Sequence, residues 1–244
     1  MNDVMETDRA LTVSEQAFET DIFGAPVWRL TVSGNGDVPP VELEKLLRRA
    51  RTEKAALIAC RLPETSPFGE RLHEYGFRKV ERLITFYRPL AGTAEMPDGI
   101  EVGGKSDTDA AVEIARSVFR FDRYHADPEI SDDVADEIKA LWVRNGMNGR
   151  SDAPLVARVE GKVAGFNLCM RHGEDAVIDL IGVADGYQGR GIGEKLVAGA
   201  LAHYTGRAKR MRVGTQETNK ISLSMYRRAG FKPHDASETW HWTG

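Results

Sequence analysis

Three glycines within five residues mark the first place where this chain can do chemistry. Gln188, Gly189, Arg190, Gly191, Ile192 and Gly193 follow an apolar run at 177–183 and open an amphipathic stretch at 191–204. Glycine lets a backbone turn sharply and come close to a ligand. A turn that leads straight into a helix aims its free N–H groups and positive dipole end at one spot, an anion site suited to a pyrophosphate. Arg190 adds a positive charge there. A dinucleotide fingerprint read from Gly189 and Gly191 needs a third glycine where Glu194 stands. A P-loop needs Gly-Lys-Ser/Thr, and Glu194, Lys195 and Leu196 do not supply it. Further along, Asn219, Ser222 and Tyr226 share one stripe of a helix that Gly230 stops. Asp179 interrupts the apolar run, either as a proton acceptor or as a hydrogen-bonded structural carboxylate.

The pattern Q-x-x-G-x-G after a buried strand, followed by Asn219, Tyr226, Gly230 and Phe231, resembles the cofactor motifs of the GNAT N-acetyltransferase family over residues 100–242, with Ser222 where that family has a small alanine. The resemblance implies acetyl-CoA as cosubstrate and no metal. It places the pyrophosphate on residues 188–193, and the pantetheine arm along the free backbone edge of Ile181, Gly182 and Val183, beside Asn219 and Ser222. It implies direct attack of an amine on the thioester, an oxyanion helped by a backbone N–H, and Tyr226 protonating the leaving thiolate. Asp179 is the candidate acceptor of the amine proton. A packed core aromatic is the other reading of Tyr226, and Tyr226→Phe separates the two.

Deprotonating an amine costs about 1.4 kcal/mol for each pH unit between its pKa and the pH, which favours a weakly basic small-molecule amine where no strong base is evident. Residues 119–128 mix aromatic, cationic and anionic groups between two helices, and loops carry specificity. Arg123, Tyr124, His125 and Asp127 are candidate substrate contacts there; the plainer reading is a solvated loop. Trp240 and Trp242 share a strand face by period two, facing either substrate or core. The layout more loosely resembles the two-lobed TDP-fucosamine N-acetyltransferases of the same family, which brings Gln216 into the substrate set and implies a nucleotide-linked amino sugar. A larger acyl donor, a protein or peptide acceptor, and a non-catalytic acetyl-CoA-binding module remain open alternatives.

The elements that position these groups read as mixed α/β, a central splayed sheet flanked by helices. Strands are expected at 27–32, 55–62, 82–88, 155–160, 162–171, 176–183, 210–216 and 238–242, and helices at 40–54, 69–75, 107–119, 131–145, 191–204 and 219–229. Residues 91–99 read as a linker between an N-terminal lobe, 1–90, and an acetyltransferase domain, 100–244. The strand, helix and Gly76-Phe77 of the first lobe echo the strand, helix and Gly230-Phe231 of the second, with Leu72 where the second has Tyr226. The first lobe therefore reads as a degenerate half-copy with a structural or substrate-side role, or as coincidence.

Composition narrows the rest. A formal net charge of −4 gives no basic balance for general nucleic-acid binding. Cys60 and Cys169 stand far apart in apolar stretches and read as reduced core thiols. With no signal peptide or apolar run of membrane-span length, the expectation is a soluble cytoplasmic enzyme without membrane partners, monomeric or homodimeric.

Overall fold

A computed structural model describes residues 11–33 and 38–244. In chain order these form β1 (Leu11–Glu15), α1 (Ala17–Phe23), β2 (Val27–Val32), α2 (Pro40–Glu53), β3 (Leu57–Pro63), α3 (Phe68–Glu74) and β4 (Arg78–Pro89). There follow β5 (Ile100–Val102), α4 (Thr108–Val118), α5 (Asp132–Asn145), β6 (Ala153–Val159), β7 (Lys162–His172) and β8 (Asp175–Val183). The chain ends with α6 (Ile192–Tyr204), β9 (Arg210–Gln216), α7 (Lys220–Arg228) and β10 (Lys232–Trp242). This is the mixed α/β order expected. β1, α1 and β5 were not anticipated: β1 buries one side chain well, Leu11, and β5 is three residues long, too little for either period to register.

The chain divides into two compact units, and not at residue 90. The first gathers Met1–Arg82, Ala126–Glu129 and Ala236–Gly244; the second is Leu83–His125 with Ile130–Asp235. The reason is strand pairing. In the first unit β1 pairs antiparallel with β2, β2 parallel with β3, and β3 antiparallel with the end of β10. α2 turns Leu43, Leu46, Leu47 and Ala50 inward, and α3 adds Phe68 and Leu72 to a core that includes Trp28, Ile58, Cys60, Trp240 and Trp242.

In the second unit the end of β4 pairs antiparallel with β9, β9 parallel with β8, and β8, β7, β6 and β5 follow antiparallel. Alternate side chains enter two cores on opposite faces. Leu196, Val197, Ala200 and Leu201 of α6 and Leu223 of α7 fill one; Ala111, Val112, Ala115, Ala140 and Val143 of α4 and α5 fill the other. Ser131 caps α5, its Oγ accepting from the Val134 N–H at 3.4 Å.

The sequence echo is matched in register. Pro63 faces Ser237 and Ile58 faces Trp242 in the first unit; Gln216 faces Leu83 and Met211 faces Arg88 in the second. Each unit is thus completed by a strand from the chain segment that builds the other. Both helix ends close alike: Phe77 N–H donates to the Leu72 carbonyl and Phe231 N–H to the Tyr226 carbonyl, each at 3.0 Å. Gly76 and Gly230 both take the left-handed conformation, φ +86° and +81°, that ends such a helix.

Candidate active site

In the second unit the sheet forks. β8 and β9 stay in parallel register from Asp175 beside Arg210 to Ile178 beside Val213, and the pairing stops there. Beyond that point β9 remains with β4, Gly214 opposite Thr85 and Gln216 opposite Leu83. β8 remains with β7, Leu180 opposite Leu168 and Val183 opposite Gly165. The cause is a bulge: the β7 register steps from Cys169–Ile178 to Leu168–Leu180, so Asp179 is an extra residue that bends the strand. The bulge also shifts the alternation. Ile178, Ile181 and Val183 all pack on the α6–α7 side, whereas Leu180 joins the α4–α5 core. Strict alternation would have put Ile178 and Leu180 on one face, so the sequence pattern hid the bulge.

Glycine makes the free arm of β8 compatible with its neighbours. A Cβ on Gly182 would stand 3.0 Å from Phe166 Cε1 and 3.1 Å from Val118 Cγ2, and one on Gly165 would stand 2.8 Å from the Gly182 carbonyl oxygen. Asn167, fully buried and not singled out from the sequence, ties α6 to β7. Its Nδ2 donates to the Leu196 carbonyl at 3.1 Å, and its Oδ1 accepts from Cys169 Sγ at 3.3 Å.

The glycine turn follows this arm. The Gln188 side chain donates to the Val183 carbonyl at 3.1 Å and to Asp185 Oδ1 at 2.9 Å, so it folds the turn back on β8. Gly189 and Gly191 have φ of +74° and +77°, and a Cβ on either meets nothing within 4 Å. Backbone conformation, not crowding, requires glycine at both. Gly191 is the N-cap of α6 and no described side chain caps that end, so its first N–H groups face an open, exposed turn. Arg190 lies 5.4 Å from the centroid of the Tyr187 ring. Ile192 anchors the helix in the core, and Gly193 lets Met225 of α7 approach: its Cβ would be 3.1 Å from Met225 Sδ.

On α7, Asn219 is the N-cap, its Oδ1 accepting from the Ser222 N–H at 3.0 Å. Tyr226 is 2% exposed and lies in the same core as Ile178 and Val213, the last paired residues before the fork. Its ring lies 6.2 Å from Phe86 of β4 and 5.8 Å from Phe231. Burial, with the Cys169 thiol nearby, pushes the phenol above its ordinary value, so it is a protonated donor at neutral pH. Tyr226 is therefore a packed aromatic and also stands where the fork opens. Phe86, from the first ninety residues, belongs to this site through strand exchange, which no local pattern announces.

The loop after α4 starts beside the free arm of β8, since Val118 touches the Gly182 position and the Phe119 ring lies 6.3 Å from Phe166. It is pinned, not a solvated connector. Arg123 stacks on Tyr124, 4.5 Å from its centroid, and its Nη2 donates to the Tyr124 hydroxyl at 2.5 Å. The His125 ring is held between Asp122 and Asp136, which leaves it little room to touch a ligand. Burial opposes ionisation of Asp122, yet Lys139 and His125 outweigh it and hold its carboxyl down to about 2.

Three expected substrate contacts are corrected. Tyr124 is 1% exposed and its hydroxyl is taken by Arg123, so it supports that guanidinium and does not meet a ligand. Asp127 belongs to the first unit and its side chain is 0% exposed, bound by His241 Nδ1 at 2.8 Å and Arg78 Nη2 at 2.9 Å. Trp240 also belongs to the first unit's core, where its Cζ2 stands 3.0 Å from a Cβ placed on Gly69. Gln216 is 5% exposed at the end of β9, its Oε1 accepting from Thr218 Oγ1 at 3.2 Å. The structure thus gathers residues 181–183 and 188–193, Asp179, Asn219, Ser222, Tyr226, Arg123, Tyr124, His125 and Gln216 in the second unit, and Asp127 and Trp240 in the first. Among the described residues no group of three or more His, Cys, Asp or Glu side chains is placed to hold a metal ion, and no helix is long and apolar enough to cross a membrane.

A forked sheet with a glycine turn at the helix following the forked strand defines a class. Residues 111–231 match the model of the Acetyltransferase (GNAT) family. The chain is 34% identical over 169 residues to the spore coat polysaccharide biosynthesis protein SpsD of Bacillus subtilis, a match covering 68% of this chain and 58% of that protein. Among solved structures it is similar to a GCN5-related N-acetyltransferase from Sphaerobacter thermophilus, with TM-score 0.65 and 17% identity over 96% of this chain and 76% of that one. A tandem GNAT protein from the clavulanic acid biosynthesis pathway gives TM-score 0.59 and 16% identity, covering 90% and 76%. The chain belongs to the GNAT acetyltransferase superfamily.

Proposed function

We propose that this protein transfers an acetyl group from acetyl-CoA to the amine of a small molecule, and that the acceptor is a sugar amine carried on a nucleotide. The observation that carries the reading is the fork between β8 and β9, with an uncapped α6 N-terminus at one end and the Tyr226 phenol packed at the other. The open glycine turn and Arg190 fit a diphosphate. The edge of β8 at Ile181, Gly182 and Val183 would offer backbone groups to the pantetheine amides, and Asn219 and Ser222 would hold the pantetheine arm from α7.

Acetyl-CoA supplies an activated thioester when bound. The residues then divide the proton work. A backbone N–H on the free arm of β8 stabilises the developing oxyanion, Tyr226 gives its proton to the departing sulfur as the C–S bond breaks, and Asp179 receives the amine proton through water. Support for a sugar acceptor comes from the polysaccharide-biosynthesis name of the relative, and from Arg123, a guanidinium suited to phosphate and held ready by Tyr124. The test is CoA-thiol release with acetyl-CoA and a panel of TDP- and UDP-linked amino sugars, free amino sugars and peptides. Release confined to the nucleotide-linked amino sugars supports the reading. Release only with peptides overturns the acceptor, and release with no amine overturns the activity.

A further inference from the structure

We infer that His125 is a positioning residue: as an imidazolium bridging Asp122 and Asp136, it clasps residues 119–125 to α5 and so sets Arg123, stacked on the buried Tyr124, for the acceptor. The inference deepens the acetyl-transfer reading and rests on it for the acceptor's role. Its physical basis is a count of protons. His125 Nδ1 lies 2.7 Å from Asp122 Oδ2 and its Nε2 lies 3.0 Å from Asp136 Oδ1. Ionised carboxylates only accept hydrogen bonds, and a neutral imidazole has one N–H. Satisfying both contacts needs both ring protons.

The surroundings are charged on each side. From the loop, Asp122 also accepts from the Tyr124 N–H at 2.9 Å, and Arg120 Nη1 reaches Asp136 Oδ1 at 2.8 Å and the His125 ring at 3.4 Å. From α5 come Asp136 and the buried Lys139, whose ammonium is 3.7 Å from Asp122 and 4.7 Å from the Trp142 ring centroid. The His125 side chain is 3% exposed, so water cannot readily replace a lost partner. The same box holds Arg123, whose guanidinium lies 5.7 Å from the Trp142 centroid. Loss of one proton leaves a ring lone pair facing a carboxylate, which loosens the loop's hold on α5 and leaves it to the Arg120–Asp136 and Lys139–Asp122 pairs.

Burial lowers the affinity of His125 for its second proton, but Asp122 and Asp136 outweigh burial and raise it above the ordinary 6.5. The sign follows. The clasp is complete below the unfolded value of about 6.5 and is lost as pH rises through the higher folded value. Acceptor KM should therefore climb on the alkaline side while kcat and the acetyl-CoA KM stay level. His125→Gln should raise acceptor KM roughly tenfold at every pH, as expected of a displaced contact, with kcat within about twofold. Asp136→Asn, which removes one carboxylate, should move the alkaline rise to lower pH, a shift that ionisation of the amine substrate cannot produce.

The deciding measurement needs no turnover: an NMR titration of the His125 ring in the whole protein, with amide hydrogen exchange of residues 119–125 followed over the same pH range. A titration above 6.5, lowered by Asp136→Asn and accompanied by faster exchange as the proton leaves, supports the clasp. Titration at or below 6.5 overturns it. A high value with an acceptor KM indifferent to pH overturns the positioning role while leaving acetyl transfer intact. Failure of every amine as substrate overturns the proposed function and leaves the titration to decide the clasp.

Discussion

From β2 through α2, β3 and α3 to β4, the chain follows a path that it takes again from β8 through α6, β9 and α7 to β10, yet the side chains along the two paths do different things. β2 and β3 pair only from Val27 beside Leu57 to Leu30 beside Cys60, just as β8 and β9 pair only from Asp175 beside Arg210 to Ile178 beside Val213. Leu72 stands at the helix position of Tyr226, and Trp240, opposite Cys60, stands at the strand position of Phe86, opposite Val213. The larger indole fills the space a phenol would claim beside α3, and Gly69 makes room for it. α2 opens on Pro40, which has no N–H to give an anion, where α6 opens on Ile192 after the left-handed Gly191. On the proposed function, a backbone that forks is thus not sufficient for a site: donors at the turn and a proton on the helix separate the two paths.

That contrast can be broken most directly at its centre. Tyr226→Phe keeps the packing against Phe86 and Phe231 and should lower kcat by about 10²–10⁴-fold, the usual worth of a positioned acid, with little change in melting temperature. Activity within threefold of wild type would make Tyr226 a packing residue like its counterpart. The counterpart should show the reverse. Leu72→Ala should cost about 2–5 kcal/mol in denaturant unfolding, because Leu72 is fully buried, while kcat per folded molecule holds.

Asp127→Asn should destabilise the first unit by about 3 kcal/mol, the common result of breaking a buried ion pair. Burial works against the Asp127 charge, but His241 and Arg78 hold its carboxyl down to about 2. This stabilisation is present above the unfolded value near 3.8 and is lost as pH falls toward 2. Acid unfolding curves of the variant should accordingly be shallower between pH 4 and 2. The smallest effect is expected from Gly191→Ala, where a left-handed residue costs roughly 1–2 kcal/mol. Acetyl-CoA KM should rise about tenfold, whereas Pro40→Ala, its first-unit counterpart, should leave it unchanged. Isothermal titration then sharpens the comparison: one acetyl-CoA per chain fits a single competent copy, and two would erase the distinction.

The glycine turn was legible because its function is local: Gly189 and Gly191 need positive φ, and no other residue type supplies that as readily. The stripe of Asn219, Ser222 and Tyr226 was legible for the same reason, one helix carrying one spacing. The bulge at Asp179 was not, since Val177, Ile178, Leu180 and Ile181 are all apolar and mask a one-residue shift between faces. Asp127 was misjudged, and Trp240 was left between substrate and core, because loop composition and strand period say nothing about which distant strand closes over them. His241 and Arg78, far apart in the chain, decide the fate of Asp127. The unit boundary was hidden by the same non-local pairing, although the echo of Gly76-Phe77 in Gly230-Phe231 pointed toward it.

The exchange of β4 and β10 also sets a timetable. A ribosome delivers β3 early, but the strand that covers its flank arrives with the last few residues before Trp242. Until then that flank is an open template for unrelated chains. β9, by contrast, emerges to find β4 already made. The first unit is the later of the two to be finished, and a nascent chain stalled short of residue 236 would leave it unsealed.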